Sequence, residues 1–115
     1  MKLKFKLQQY QTSATIAKEI LNMNENQIFN KIKSYKFSNG QRITVKYRSK
    51  GYSIFRVIDG KPIARLRSTN NPKIFEVLWW SHRDKWESIG DFGGMFMPLH
   101  KALKYIDENA MECFW

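Results

Sequence analysis

The sequence predicts an α+β domain with a four- to five-stranded antiparallel sheet, on one face of which two N-terminal helices and one C-terminal helix pack. Three observations predict this class. Apolar residues recur at helical spacing near both ends of the chain. Between about residues 40 and 90, alternating and aromatic runs are separated by turn residues. The 115 residues, 43% of them hydrophobic, are enough for one core, so we expect residues 1–115 to form a single domain.

The N-terminal region is predicted to hold one strand and then two helices. Residues 3–7 alternate apolar side chains with lysines, which is typical of a half-buried edge strand. Residues 12–23 carry an apolar stripe at helical spacing, and so do residues 24–35. Turn chemistry at residues 38–40 (Ser-Asn-Gly) then ends the helical region.

The middle of the chain is predicted to be an antiparallel meander. Strands are expected at residues 42–48, 52–58, 63–67, 73–80 and, as a short fifth strand, 86–89. The segments between them are rich in turn residues, and Asp59-Gly60 is a strong hairpin signal. Gly93-Gly94 is expected to end the sheet region.

The C-terminal region is predicted to be a helix followed by an apolar tail. Pro98 lies near the first turn, where a missing N–H costs little. The expected buried stripe of this helix is Leu99, Ala102, Leu103 and Ile106. Residues 112–115 are expected to dock on the sheet.

The charge is distributed unevenly along the chain. Residues 1–73 hold 16 Lys and Arg against three acids, whereas residues 74–115 hold four against seven. The net charges are therefore +13 and −3, which sum to the total of +10. An asymmetry of this kind favours an anionic partner for the first part of the chain. Nucleic acid gains from phosphate neutralisation, anionic lipid gains from similar electrostatics but usually needs an amphipathic helix or a lipid anchor, and an acidic protein is the third candidate. A lysine-rich surface that only keeps the protein soluble is the alternative.

The predicted strands suggest where these cations lie. In an alternating strand every second side chain points to the same face, so neighbouring hairpin strands could combine their arginines on one solvent-facing surface. Arginine grips phosphate oxygens with a planar fork, which makes such a surface a candidate phosphate-binding site. The candidate residues are Arg42, Lys46, Arg48, Arg56, Arg65 and Arg67.

The segment from Val77 to Trp86 is the most distinctive run of the chain. Tryptophans next to cationic residues can stack bases in proteins that bind single strands. Strand alternation turns Trp79 and Trp80 to opposite faces, so one is expected in the core and the other can reach solvent. We therefore add Trp80 and Arg83 to the candidate nucleic-acid-binding residues, with packing of both tryptophans as the alternative.

Residues 16–28 are similar to a helix-turn-helix, with residues 21–24 as the turn and Ile28 as the following core position. Asn22 stands where the motif has glycine, and the spacing from Ala17 to Leu21 is one residue too long. If the motif were present, the side chains expected to face the major groove would be Gln27, Asn30, Lys31 and Lys33. Two amphipathic helices that cover the sheet are the alternative.

No catalytic, metal or cofactor pattern is recognisable. His82, Asp84 and Glu87 are close in sequence but have neither a nucleophile motif nor metal-ligand spacing. The single cysteine, Cys113, allows no intrachain disulfide and is expected to be a buried apolar residue. No apolar run is long enough to span a bilayer. We therefore expect a cytoplasmic protein that is not an enzyme, binds no cofactor or metal and does not engage a membrane; the sequence does not indicate its oligomeric state.

Residues 47–115 resemble a small uncharacterised bacterial family, domain of unknown function 3024. The matching segments are IARLR (63–67), VLWW (77–80), RDKW (83–86) and the ending CFW (113–115). The resemblance implies no activity and no site residue. It implies that the Trp-rich strand, the last helix and the tail form one structural unit, with Trp86, Phe114 and Trp115 in its core.

These observations together predict a small basic accessory protein that binds DNA or RNA through an arginine-rich sheet face. A phage or mobile-element context is one setting for such a protein. The alternative function is a protein-interaction module, of the inhibitor or antitoxin type, that docks on an acidic partner.

Overall fold

Two helices and six strands are found in residues 24–90 and 93–115, which are the residues that the computed structural model describes. Their order is α1 (Glu25–Ser34), β1 (Ile43–Arg48), β2 (Gly51–Arg56), β3 (Pro62–Ser68), β4 (Ile74–Trp80), β5 (Trp86–Ser88), β6 (Met95–Pro98) and α2 (Leu99–Glu108). The predicted α+β class with an antiparallel sheet is confirmed. The predicted strand at 3–7 and helix at 12–23 lie outside the described residues, so two helices are described where three were expected.

Helix α1 begins with a reciprocal cap. The side chain of Asn24 accepts a hydrogen bond from the backbone N–H of Gln27, and the side chain of Gln27 accepts one from the N–H of Asn24, both at 2.9 Å. This arrangement satisfies two of the N–H groups that a helix start leaves without partners. The apolar stripe then buries Ile28 and Ile32, and the helix ends where Tyr35 becomes extended.

Strands β1 to β4 form the predicted meander through three successive antiparallel pairings. The first hairpin pairs Arg48 with Gly51, so its loop is only Ser49 and Lys50. Both loop residues have positive φ, 51° and 61°, which matches the turn geometry that suits the twist of a two-residue hairpin. A register shift between Ile54 and Phe55 marks a bulge in the pairing of β2 with β3.

Within residues 24–90 and 93–115 the sheet has six strands instead of the four or five predicted, because β6 was not anticipated. Strand β5 pairs with the C-terminal half of β4, and β6 pairs with its N-terminal half, so both lie along the same edge of β4. Gly93 and Gly94 do not end the sheet. Their φ values of 81° and 93° belong to a turn that precedes β6. A four-residue strand is too short for its alternation to be recognised in sequence.

Both described helices pack on the same face of the sheet, as predicted. Helix α1 contacts β1, and α2 contacts β4 and β6. We call this the helix-covered face. Its core includes the α2 stripe predicted from sequence, Leu99, Ala102, Leu103 and Ile106, each less than a tenth exposed. Phe114 of the tail is buried in the same core, and the indole N–H of Trp115 donates to the carbonyl of Ile106 on α2 at 3.1 Å.

The opposite side of the sheet is not covered by either described helix, and we call it the open face. Strand alternation assigns residues to it from every strand. Its members are Thr44, Lys46, Arg48, Gly51, Ser53, Phe55, Arg65, Arg67, Ile74, Glu76, Leu78, Trp80, Trp86, Ser88, Phe96 and Pro98. No helix in residues 24–90 and 93–115 is long and apolar enough to cross a membrane.

Candidate nucleic-acid interface

The strand register arranges the open face in rows that run across the sheet. One row consists of Arg48, Gly51, Arg67, Glu76 and Phe96. The next row consists of Lys46, Ser53, Arg65, Leu78 and Ser88. Beyond it lie Phe55, paired with Thr44, and the directly paired Trp80 and Trp86. The face is therefore cationic across β1 to β3 at one end and aromatic at the other.

Four of the six cations predicted for this face are brought together on it. Lys46 and Arg48 come from β1, and Arg65 and Arg67 come from β3. Strand β2, which lies between β1 and β3, contributes only Gly51 and Ser53 at the same level. Because both residues are small, the long cationic side chains on either side have room to lie over them.

The guanidinium of Arg65 lies across the small residues of β2. It donates to the hydroxyl of Ser53 at 2.8 Å and to the backbone carbonyls of Arg48 at 2.7 Å and Ser49 at 3.2 Å. Burial, together with the positive charges of Arg67 and Arg48, lowers the pKa of Arg65. Arg65 therefore stabilises the β1–β2 hairpin as well as adding charge to the face.

Arg67 forms an ion pair with Glu76, its cross-strand partner on β4. The carboxylate of Glu76 is only 3% exposed and also accepts a hydrogen bond from the hydroxyl of Ser88 at 2.6 Å. Gly94 lies close against this carboxylate, and a Cβ atom at position 94 would overlap it. Half of the Arg67 side chain remains exposed, so the ion pair leaves part of its surface accessible to a ligand.

Lys46 and Arg48 are the cations of the open face whose side chains form the fewest ion pairs and hydrogen bonds with described residues. Both side chains are exposed, and neither forms an ion pair with any described residue. The ammonium group of Lys46 lies 5.3 Å from the centre of the Phe55 ring, within the range of a cation–π contact. The charged groups of these two residues are therefore the most accessible on the open face.

Arg56 does not join the other four as predicted. The register pairs Arg56 with Ile43, whose side of the sheet is the helix-covered one. Its guanidinium instead forms two hydrogen bonds to the carboxylate of Asp59, at 3.0 and 2.6 Å. The prediction assigned Arg56 to the wrong face, because only the hairpin register decides which residues of β2 lie beside Lys46. Arg42 is exposed and precedes β1, and its carbonyl accepts a hydrogen bond from the N–H of Val57 at 2.9 Å.

The tryptophans separate as strand alternation predicts. Trp79 packs against the core on the helix-covered face, whereas Trp80 lies on the open face beside Trp86. The rings of Trp80 and Trp86 meet edge to face, with centres 5.0 Å apart. The expectation that Trp86 belongs to the same core as Phe114 is wrong, because pairing with Trp80 turns its side chain to the opposite face.

Arg83 lies in the loop between β4 and β5, next to the aromatic end of the open face. Its side chain is 65% exposed and is 3.5 Å from the carboxylate of Glu87. That carboxylate also accepts a hydrogen bond from the hydroxyl of Ser81, at 2.9 Å. Glu87, grouped with His82 and Asp84 in the sequence analysis, thus takes part in a loop network. Among the described residues, no three His, Cys, Asp or Glu side chains form a group that could hold a metal ion.

Sequence reasoning missed three aromatic residues of the open face. Phe55, Trp86 and Phe96 were not selected, although Phe96 is 52% exposed. The two-residue turn at Ser49 places Ser53 opposite Lys46, and strand alternation then places Phe55 on the same face as both. Phe55 could therefore have been predicted from the length of that turn. No comparable signal existed for Phe96, since its strand was not predicted.

The helix-turn-helix hypothesis rests partly on residues that the structure does not describe, because its first helix lies before residue 24. The proposed recognition helix corresponds to α1. The side chain of Gln27, expected to reach a groove, is used in the cap of that helix. Asn30, Lys31 and Lys33 remain exposed on α1.

The chain belongs to the family DUF3024, a domain of unknown function, whose model matches residues 11–115. The match begins well before residue 47, where the resemblance in sequence was expected to start, so the family includes α1 and the whole meander. No curated protein and no solved structure matches the chain significantly.

Proposed function

We propose that this DUF3024 protein is a nucleic-acid-binding accessory protein that contacts phosphates through Lys46, Arg48, Arg65 and Arg67. The observation that carries the proposal is the grouping of these four cations in two adjacent rows of a sheet face that no described helix covers. In the part of the chain that the structure describes, a single carboxylate, that of Glu76, accompanies them on the face, and it is buried.

Electrostatics supports a phosphate ligand more than a generic charged surface. Three of the four cations are arginines, whose guanidinium groups can donate two parallel hydrogen bonds to phosphate oxygens. The carboxylate of Glu76 pairs with Arg67 alone, so the proximity of Arg48, Arg65 and Arg67 remains unfavourable, because like charges repel. A bound phosphodiester backbone would relieve this repulsion and release counterions.

Binding measured against salt concentration tests the proposal. Fluorescently labelled DNA and RNA of random sequence would be titrated with the protein at several salt concentrations. Each phosphate contact contributes about −0.9 to the slope of log affinity against log salt on duplex DNA, so two to four contacts predict a slope of about −2 to −4. Absence of binding at low salt would refute the proposal.

Charge reversal identifies the surface. Lys46→Glu combined with Arg48→Glu should reduce affinity about tenfold or more at low salt, because it removes the two most available cations and adds repulsion. The matched control is Lys101→Glu combined with Lys104→Glu, an equal charge change at two exposed positions of α2 on the helix-covered side. If both double variants lose affinity equally, net charge and not the open face is responsible.

A competition experiment addresses the alternative function. A protein-interaction module that docks on an acidic partner would use the same cations, and the distinction lies in the ligand. An acidic polypeptide such as polyglutamate should compete weakly with nucleic acid for the open face if phosphate geometry matters, since carboxylates on a flexible chain do not reproduce the array of a phosphodiester backbone. Equal competition per charge would favour the acidic-partner function.

A further inference from the structure

We infer that the ligand of the open face is single-stranded, with unpaired bases stacked on the aromatic end formed by Phe55, Trp80 and Trp86 while the backbone lies along the cations. This inference rests on the proposed function and names its substrate class. It adds a second recognition element, the aromatic end, to the phosphate contacts.

The side chains of Phe55 and Trp86 lie across the surface of the sheet. Phe55 is on β2 and Trp86 is on β5, and two strands lie between them. Adjacent strands are about 4.8 Å apart, so the backbones of β2 and β5 are separated by about 14 Å. The ring centres of Phe55 and Trp86 are nevertheless only 6.5 Å apart. The two side chains must therefore extend toward each other across β3 and β4.

Phe55, Trp80 and Trp86 form a cluster of edge-to-face rings on the open face. Leu78, on the same face, is only 4% exposed. Phe55, Trp80 and Trp86 are each half-buried and remain accessible in part. Base stacking needs an exposed aromatic face and tolerates any base, because every base has a π-face.

Lys46 lies where the cationic end of the open face meets the aromatic end. Its ammonium group lies over the Phe55 ring at 5.3 Å, and it is also the cation in register with Ser53 and Arg65. A base stacked near Phe55 would thus have its own phosphate within reach of a cation. Phe96 provides a further exposed ring at the sheet edge, on the far side of Glu76 from Arg67.

A double helix cannot use this aromatic surface. Its bases are stacked on one another inside the duplex and expose only their edges in the grooves, whereas a sheet presents a broad surface that lies against the backbone. A single strand can turn its bases onto the rings at no cost in base pairing. The aromatic end should therefore contribute to affinity for single strands only.

Three probes of equal length separate phosphate contacts from base contacts: a single-stranded oligonucleotide, its blunt duplex and an abasic single strand. Stacking is worth about 1–3 kcal/mol per base. We expect the single strand to bind about tenfold or more tightly than the abasic strand, since about 1.4 kcal/mol is tenfold. Equal affinity for the single strand, the duplex and the abasic strand would overturn the inference while leaving the proposed function intact.

Substitution of the rings provides a second test. Trp80→Leu and Trp86→Leu keep apolar bulk but remove the aromatic faces, and each should reduce affinity for the single strand about fivefold or more without affecting the abasic strand. Tyr47→Leu is the matched control, because Tyr47 is an aromatic residue of β1, 40% exposed, on the opposite side of the sheet. The affinity of the Tyr47→Leu variant for the single strand should be unchanged.

The variants must be shown to be folded before their affinities are compared. Circular dichroism and thermal unfolding serve this purpose, and Trp80→Phe and Trp86→Phe retain an aromatic face if the leucine variants are unstable. The phenylalanine variants should bind single strands nearly as well as the unsubstituted protein. If the leucine variants fold and bind the single strand normally, the rings are only packing residues and the inference is wrong. If the unsubstituted protein binds no nucleic acid, the proposed function itself is refuted.

Discussion

The guanidinium of Arg65 lies where a Cβ atom on residue 51 would be, so the absence of a side chain at Gly51 is what allows Arg65 to lie across β2. The two residues are on neighbouring strands, with Gly51 opposite Arg67 and Ser53 opposite Arg65. Three hydrogen bonds, to Ser53, Arg48 and Ser49, then hold the guanidinium in place. Gly51 therefore determines how the cations of the open face are arranged, although it carries no charge.

This relationship predicts that substitutions at positions 51 and 65 are coupled. Gly51→Ala alone should lower the free energy of unfolding by about 1–2 kcal/mol, because the guanidinium must move and lose hydrogen bonds. In an Arg65→Ala background the same change should be neutral or stabilising, since alanine is favoured over glycine in a strand by about 0.5–1 kcal/mol. Urea denaturation of the four proteins gives the coupling energy. Additive effects would show that the two side chains do not interact.

Substitution of Glu76 is expected to lower the free energy of unfolding but to raise the affinity for nucleic acid. Glu76→Gln keeps the shape of the side chain but removes the ion pair with Arg67 and weakens the hydrogen bond from Ser88. Loss of charge-assisted hydrogen bonds should cost about 1–3 kcal/mol of unfolding free energy. The same change frees Arg67 and removes the only carboxylate among the described residues of the open face, so affinity for nucleic acid should rise. Lower stability together with lower affinity would contradict the proposed role of Arg67.

The pKa of Asp59 predicts how the stability of the protein changes at acidic pH. The hydrogen bonds from Arg56 and from the N–H of Lys61 lower the pKa of Asp59 to about 2. Because the pKa in the folded state is below the unfolded value, the stability that Asp59 contributes is present above about pH 4 and is lost as the pH falls toward about 2. Arg56→Met should return the pKa of Asp59 toward its ordinary value in an NMR titration. An unchanged pKa in that variant would mean that Arg56 is not the principal cause.

Tyr52 makes the corresponding prediction at alkaline pH. Burial, with smaller effects from Tyr47 and Glu25, raises the pKa of Tyr52 to about 12. An unfolded tyrosine loses its proton near pH 10, so the folded state binds more protons than the unfolded state above that pH. Stability should therefore fall as the pH rises from about 10 to about 12. Tyr52→Phe should make this fall shallower in urea denaturation measured across the range, and an equally steep fall would exclude Tyr52 as its source.

Local patterns in the sequence predicted most of the elements, because each pattern needs only neighbouring residues. The apolar stripe of α2, the turn after β2 and the alternation of β1 all reflect constraints within one helix, turn or strand. Strand β6 escaped prediction because its four residues are too few for a pattern and its place depends on β4. The turn at Gly93 and Gly94 was recognised, but the strand that follows it was not.

The candidate site was predictable only in part for the same reason. Lys46, Arg48, Arg65 and Arg67 share a face because their strands alternate and because the register aligns those strands. Arg56 follows the same kind of alternation within β2, yet its register opposite Ile43 puts it on the other face. A shift of one residue in either hairpin would have exchanged these assignments, and in the sequence only the exact length of each turn indicates the shift.

What the sequence by itself determined is the α+β class, the positions of most strands, the apolar stripe of α2 and a positive charge concentrated in residues 1–73. The tertiary structure alone decided which cations meet, that Arg65 lies over Gly51, that Glu76 is buried beside Arg67, and that Phe55 and Trp86 approach each other across two strands. The physical reason is that charge and periodicity belong to the chain itself. Contacts between strands depend instead on hydrogen-bond register and on close packing, both of which arise only when distant segments are brought together.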